Sequence, residues 1–426
     1  IPREGASPSL WQTTANNYLP ASAALEPDVD VAIVGGGITG ITLAFLLQEA
    51  GRKCVVLESQ SLGFGTTGGT TAHLNTLLDT SYHTIIKDFG LDVARNVAQA
   101  TRDAINLVKN HVARFNIDCG FELCDGHLFA QNEQQLEQLR DVVEGCRQVG
   151  LEVSVSDELG IPVPSIKTMS IAGQAKIHPL RYVLAMAKEF ENRAGVILEN
   201  CRVTNTGTDN DMISVETTRG AFKARAVVFA THIPIGINIL HLRCPAYRSY
   251  AMAVKLEDGS YPRDLYYDLY DPYHYYRTQQ IDGDQYLIVG GEDHKTGEES
   301  NTNGCFLQLE AHIRSHFKVR EIVQKWSSQF FEPVDGLPYI GHLPGNHKNI
   351  FVATGYGGNG ITYSHVAAPL LRDMILGVPN PMAEVFTPGR LKPVAGFTDF
   401  VRHNSDVVKQ FVSSGLGQEE MQELSA

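Results

Sequence analysis

The run Val31-Ala32-Ile33-Val34 leads straight into Gly35-Gly36-Gly37-Ile38-Thr39-Gly40, and no other stretch limits the fold so tightly. A short apolar run that breaks into glycines reads as a buried parallel strand meeting a tight turn. From Ile41 to Ala50 small and apolar residues read as a helix that Gly51 caps, and Cys54-Val55-Val56-Leu57 is the next buried strand. Strand, glycine turn, helix and strand make a βαβ unit. In Gly35-x-Gly37-x-x-Gly40 the first glycine permits the turn and the second lets the backbone approach a pyrophosphate. The third lets helix and sheet pack closely, while the helix N-terminus offers amides to the phosphates. Glu58 follows Gly40 by 18 residues, where an acid bonds a ribose hydroxyl. The unit therefore points to a dinucleotide.

Three other segments extend that reading. Gly63-Phe64-Gly65-Thr66-Thr67-Gly68-Gly69-Thr70-Thr71-Ala72-His73 is a loop of small and hydroxyl residues suited to a long ligand. Ala226 to Thr231 is a buried strand ending in small residues. Gly355-Tyr356-Gly357-Gly358-Asn359-Gly360 lies between the strand from Ile350 and a helix over Ile361 to Leu376. Too little chain follows to complete a second nucleotide fold, so this block reads as another helix start aimed at the same cofactor.

Composition excludes several classes. With 48 acids against 35 bases in 426 residues, the net charge of −13 argues against a nucleic-acid partner. The longest apolar stretch, Val29 to Leu47, is interrupted by glycines and threonine, so no membrane span is expected. The seven cysteines are scattered without a CxxC pair, so neither a disulfide framework nor a zinc site is expected, and a reducing, cytoplasmic setting is. No Ser/His/Asp set or HExxH supports a hydrolase.

Helix and strand alternate along the rest of the chain. Helices are expected from Asp92 to Phe115, Glu133 to Val149, His178 to Arg193 and Phe306 to Phe317. Strands are expected as a pair within Phe121 to Ala130, at Val196 to Leu198, through Val215 to Val228 and among the aromatics of 244–292. Residues 1–28 read as an extended arm carrying Trp11 and Tyr18, and 396–426 as an extension or linker.

The blocks DVAIVGGGITG with Glu58, GFGTTGGTTAH, ARAVVFAT and Trp326 to Thr362 together resemble the FAD-dependent oxidoreductases of the D-amino acid oxidase, glycine oxidase and sarcosine oxidase family. The chain looks most similar to a subgroup often fused to a C-terminal Rieske domain, although no CxH…CxxH pair occurs here. The resemblance implies a mixed α/β fold. A Rossmann-like FAD-binding domain would be assembled from 29–90, 165–235 and 326–395. A substrate domain from 91–164 and 236–325 would lay a mixed or antiparallel sheet over the flavin. It implies cofactor contacts at Gly35, Gly37, Ile38, Thr39, Gly40, Glu58, Ser59, Thr66, Thr67, Val203, Ala230, Thr231, Gly355, Gly357, Gly358, Asn359, Gly360 and Thr362. The late helix start would face the flavin's N1–C2=O edge and stabilise the anion formed on reduction. The reaction implied is hydride transfer to flavin N5 from a C–H bond next to nitrogen or oxygen.

Departures from the family narrow the substrate. Family arginines that grip a carboxylate align with Phe330 and Gly358, so a simple α-amino acid is disfavoured. The cysteine that some members link to flavin aligns with Ser328, so FAD is expected to bind non-covalently, and a family lysine aligns with Thr362.

Within Asp271 to Arg277, alternation puts Tyr273, Tyr275 and Arg277 on one face and His274 and Tyr276 on the other. Either this is an aromatic core with a surface arginine, or the tyrosines, with Tyr250 and Tyr356 near them, cage an amine while Arg277 grips a carboxylate. His73 is either a base or positive charge beside the flavin, or a structural histidine. His178 reads as a helix-start residue and Cys244 as structural.

The leading reading is an amine oxidoreductase reoxidised by oxygen or another acceptor. A flavin dehydrogenase of a hydroxy acid or alcohol, and an electron-transfer flavoprotein serving a Rieske partner, stand as alternatives.

Overall fold

A computed structural model describes residues 5–16, 18–21, 28–209, 211–236 and 238–390. Two sheets dominate. In the first, the strands Tyr339–His342, Ile350–Thr354, Gly220–Phe229, Asp28–Val34, Cys54–Leu57 and Val196–Leu198 lie side by side in that order. All neighbours are parallel except the first pair. Met212–Thr217 and Val203–Asp209 extend this sheet antiparallel from Gly220–Phe229. Val34 pairs with both Leu57 and Phe229, so three parallel strands end level. Their carboxyl ends form a crevice of the kind in which open α/β sheets bind ligands.

The helix Ile38–Glu49 is buried from Ile38 through Leu47. It is apolar all round because Pro179–Glu191 and Gly360–Leu376 cover its sides while the sheet covers its base. Thr39 Oγ1 and Ser364 Oγ meet at 2.8 Å, tying together the first turns of the two helices that follow the glycine blocks.

The second sheet runs in the order Val319–Phe331, Ala246–Leu256, Asp284–Lys295, Tyr275–Ile281, Leu265–Asp268, Glu122–Ala130, Lys167–Lys176 and His73–Leu74, with Val153–Ser156 paired to Lys167–Lys176. Neighbours are antiparallel except Leu265–Asp268 with Glu122–Ala130, so the sheet is mixed, as expected.

Some sequence expectations need correction. Residues 73–74, 167–176 and 326–331 run in the second sheet, although the expected boundaries put them in the FAD-binding domain. Their apolar patterns carry no label for which sheet they join. Phe121 to Ala130 is one strand, Glu122–Ala130, whose register slips between Cys124 and Gly126. Alternation begins at Tyr275 rather than Asp271, because Pro272 has no N–H and the His274 amide is taken by Asp268 Oδ1 at 2.8 Å.

The expected arm holds a short helix, Leu10–Thr14, with Ser9 and Gln12 in a reciprocal capping box. Trp11 is fully buried, and its indole N–H donates to the Thr70 carbonyl, while Trp326 donates to Gly69 O at 2.8 Å. Both tryptophans therefore hold the loop after Glu58. His178 caps Pro179–Glu191, its Nδ1 accepting from Arg181 N at 3.2 Å. All seven cysteines, Cys244 among them, are buried free thiols. Among the described residues no helix is long and apolar enough to cross a membrane. The region 396–426 lies outside the described residues.

Candidate active site

Between the ends of the parallel strands and the face of the second sheet lies a cavity of about 1090 Å³. Gly35, Gly37, Ile38, Thr39, Glu58, Ser59, Thr66, Thr67, Val203, Ala230 and Thr231 line one end. Gly357, Gly358, Asn359, Gly360 and Tyr356 line it elsewhere, with His73, Tyr273, Tyr275 and Phe330.

The glycine turn is shaped by close backbone contacts. Gly35 has φ +112°, and a Cβ there would lie 2.5 Å from Ala230 O. A Cβ on Gly40 would lie 1.9 Å from Gly35 O, so any side chain forces helix and strand apart. Gly40 thus shapes the cradle without lining it. Gly37 has no side chain with which to cap the helix, and although Thr67 Oγ1 accepts from Ile38 N at 3.1 Å, the Thr39 and Gly40 amides of the first turn stay without a capping side chain at this end of the cavity. Glu58 is fixed by accepting from Gly36 N and Gln60 N, each at 2.8 Å.

Several expected site residues do not line the cavity. Gly355, at φ +71°, turns the chain against Cys244 Sγ, 3.0 Å from where its Cβ would be. Thr362 is fully buried and clamps the Asn75 backbone, accepting from Asn75 N and donating to Asn75 O, both at 3.0 Å. Tyr250 lies in a separate core, where its hydroxyl meets His294 Nε2 at 2.8 Å and its ring packs on Phe306. It leaves the cavity because neighbouring positions of Ala246–Leu256 face opposite ways, and Ser249 takes the cavity side.

Arg277 is neither a surface residue nor a substrate grip. It is fully buried, and its Nη1 donates to the carbonyls of Thr71 (3.0 Å), Ala72 (2.6 Å) and Ile177 (3.2 Å), with Nη2 on Gln279. Ala72 has φ +58°, a costly conformation for a residue with a Cβ, and Arg277 holds its carbonyl just before His73.

His73 sits between the rings of Tyr267 and Tyr275, at centroid distances of 5.2 and 5.7 Å. Its Nδ1 meets Tyr267 Oη at 2.7 Å, and Asn75 Nδ2 donates to the same phenol oxygen at 2.8 Å. Ser249 Oγ and Tyr275 Oη meet at 2.8 Å.

Motif reading missed five carboxyls on the cavity wall: Asp268, engaged by His274, and Asp271, together with Asp79, Asp293 and Glu332. Asp79 Oδ2 accepts from Gly358 N at 2.6 Å, and Tyr273 Oη approaches Gly358 from the same side. Asp79 is pushed up to about 6 by burial, partly opposed by that amide. Burial, with Asp79 nearby, pushes Asp293 up to about 7, against a Ser249 hydrogen bond. Burial and the Asp79, Asp293 and Asp271 charges push Glu332 up to about 8. Asp79, Asp293 and Glu332 lie far apart in sequence, and only Glu332 falls within a recognised block, Trp326 to Thr362, so the fold is what brings them together. Among the described lining residues Arg202 is the one arginine and no lysine occurs. Arg202 follows Cys201, whose N–H bonds Glu58 O, so it belongs to the Glu58 end.

The cradle fits FAD on two observations. The glycine turn leaves helix amides facing a long cavity. At the other end the buried atoms His73 Nε2, Asp293 Oδ1 and Tyr356 Oη have no hydrogen-bond partner among the described residues, as suits a wall that meets a polar ring system and its substrate. Among the described residues no cluster suits a metal ion.

Comparison with known proteins agrees with this geometry. The family model described as FAD dependent oxidoreductase (DAO) matches residues 30–374. The Bacillus subtilis (strain 168) protein YhfW, named as a Rieske 2Fe-2S iron-sulfur protein, is 31% identical over 98% of this chain and 82% of its own length. Gamma-glutamylputrescine oxidoreductase of Escherichia coli K12 is 25% identical over 87% of this chain and 89% of its own. The crystal structure of glycine oxidase from Geobacillus kaustophilus superposes with a TM-score of 0.72 at 20% identity, covering 86% of this chain and all of that one. The chain belongs to the DAO family of FAD-dependent oxidoreductases.

Proposed function

We propose that this enzyme oxidises the C–H bond next to nitrogen in a small cationic amine or N-substituted amino compound. The observation that carries this reading is the gathering of Asp79, Asp293 and Glu332 beside Tyr273 and Tyr275 on a cavity wall whose described residues include no lysine and no available arginine. Carboxyls and aromatic faces attract an ammonium group and repel a carboxylate. The protein named for gamma-glutamylputrescine, an amine, is a relative consistent with that chemistry.

Bound FAD, held without a covalent link, supplies the acceptor for the hydride equivalent that leaves the substrate carbon. The chain's own residues do the rest. The carboxylates hold the ammonium, and the tyrosines exclude water from the reacting carbon. A carboxylate with a proton affinity near neutrality can take the ammonium proton, freeing the nitrogen lone pair that the oxidation requires. Gly360 opens a helix at the cavity, where the positive end of that helix favours negative charge, while the amides of Gly357, Gly358 and Asn359 are taken by Phe331 O, Asp79 Oδ2 and Tyr356 O.

Anaerobic titration of the yellow enzyme with an amine panel tests the reading. Bleaching by amines supports it, and bleaching by 2-hydroxy acids alone overturns it. The name of YhfW favours an iron–sulfur acceptor as a second reading for reoxidation. Reoxidation of the reduced enzyme faster with an oxidised Rieske-type iron–sulfur protein than with oxygen supports that route.

A further inference from the structure

We propose that His73 is held as its neutral Nε2–H tautomer by a one-way chain of hydrogen bonds, and that it serves bound FAD as a fixed donor rather than as a base. The proposal rests on FAD binding and not on the identity of the substrate.

The chain starts at a backbone amide, which can only donate. Asp79 N donates to Asn359 Oδ1 at 2.9 Å, so the other end of that side chain is its nitrogen. This nitrogen donates to the Leu77 carbonyl, which can only accept, and to Asn75 Oδ1, each at 3.2 Å. Asn75 is thereby oriented with Nδ2 toward Tyr267 Oη, to which it donates at 2.8 Å. The phenol then has one hydrogen to place. Its acceptor among the described residues is His73 Nδ1, at 2.7 Å. A neutral imidazole whose Nδ1 accepts carries its hydrogen on Nε2.

Nε2 is buried without a partner among the described residues, and His73 lines the cavity. Burial and the charges of Arg277 and Lys176 push its proton affinity well down, so a second proton is disfavoured. The tyrosine rings of 267 and 275 pack on its sides and add no charge at neutral pH. Two asparagines and a tyrosine thus transmit the polarity of one backbone amide to a donor in the cavity wall. A donor fixed in this way favours negative charge on a cofactor acceptor without changing its own charge.

The test uses holoenzyme labelled with 15N-histidine, the His73 signal being assigned by its loss in His73→Gln. The expected signal is neutral and Nε2-protonated from pH 6 to 9, and in Tyr267→Phe the two tautomers mix. The flavin reduction potential is expected to fall in His73→Ala and to return toward the wild-type value in His73→Gln, whose amide nitrogen restores a donor. An Nδ1-protonated or imidazolium signal at pH 7 overturns the proposal, as does a potential unchanged in His73→Ala. Should His73→Ala fail to fold, the labelled wild type and Tyr267→Phe still decide.

Discussion

The guanidinium of Arg277 lies 5.3 Å from the centre of the Trp11 ring, joining the middle of the second sheet to the short helix near the chain's start. Trp11 holds Thr70 while Arg277 holds Thr71 and Ala72, so consecutive carbonyls of one loop are gripped from two sides. Arg277 therefore positions His73. In Arg277→Met these carbonyls lose their donor, and at about 1–3 kcal/mol for each buried group left unpaired the loss of stability should reach about 3 kcal/mol. Denaturant unfolding should show this loss, with weaker FAD retention. A change confined to KM for acidic substrates, with stability intact, would restore the carboxylate-grip reading.

Gly40 and Gly51 predict opposite outcomes for the same substitution. Gly40→Ala places a methyl 1.9 Å from a backbone oxygen, and a backbone neighbour cannot swing aside. Loss of FAD or failure to fold is expected. At Gly51 nothing lies within 4 Å of an added Cβ, and the cost is that of φ +80° alone, about 1 kcal/mol. Gly51→Ala should stay yellow with slightly lower stability. Absorbance of the two purified variants decides.

These contrasts show what was legible in the sequence. The cradle was, because Gly35, Gly37, Gly40 and Glu58 sit within one continuous βαβ unit, where spacing alone sets geometry. The second sheet was visible as aromatic strands, but the face each residue shows depends on where alternation starts. Alternation puts Tyr275 and Arg277 on one face, as one strand requires, but it cannot show that the loop through Thr71 and Ala72 covers Arg277 while Tyr275 stays at the cavity. Asp79, Asp293 and Glu332 were invisible because their chemistry arises from convergence across hundreds of residues. The lone hydrophobic, hydroxyl or acidic residue in a strand carries no mark of its partners.

The absent carboxylate fork makes a prediction about substrate choice. Phe330 lines the cavity and stacks on Tyr247 at 5.7 Å, and the Gly358 amide is given to Asp79. A substrate carboxylate here finds apolar surface or another carboxylate. A hydrogen bond to a charged group contributes about 1.5–3 kcal/mol, so its absence should lower kcat/KM by about tenfold to a hundredfold. Glycine and D-alanine should fall that far below the best amine in anaerobic flavin reduction. Comparable rates would remove Phe330 and Gly358 from the explanation.

The carboxyl group on the cavity wall sets a pH dependence with a definite sign. Asp79, Asp293 and Glu332 are pushed up to about 6, 7 and 8, chiefly by burial, from ordinary values of about 4. Between about pH 4 and those values the folded protein keeps protons that the unfolded chain has released. Their contribution to stability is therefore complete at the acid end and is lost as pH rises through about 6 to 8. Substrate-free holoenzyme should accordingly lose stability from these groups between pH 5.5 and 8. A cationic amine works the other way, binding more tightly as the wall becomes anionic and restoring stability most at pH 8. Thermal unfolding at the two pH values, with and without amine, should show the larger ligand shift at pH 8. In Glu332→Gln the upper part of the decline should flatten and the amine shift at pH 8 should shrink, because the variant carries no charge there to lose or to neutralise. An amine shift equal at both pH values, or unaltered in Glu332→Gln, would mean that the ammonium is held somewhere other than on this wall.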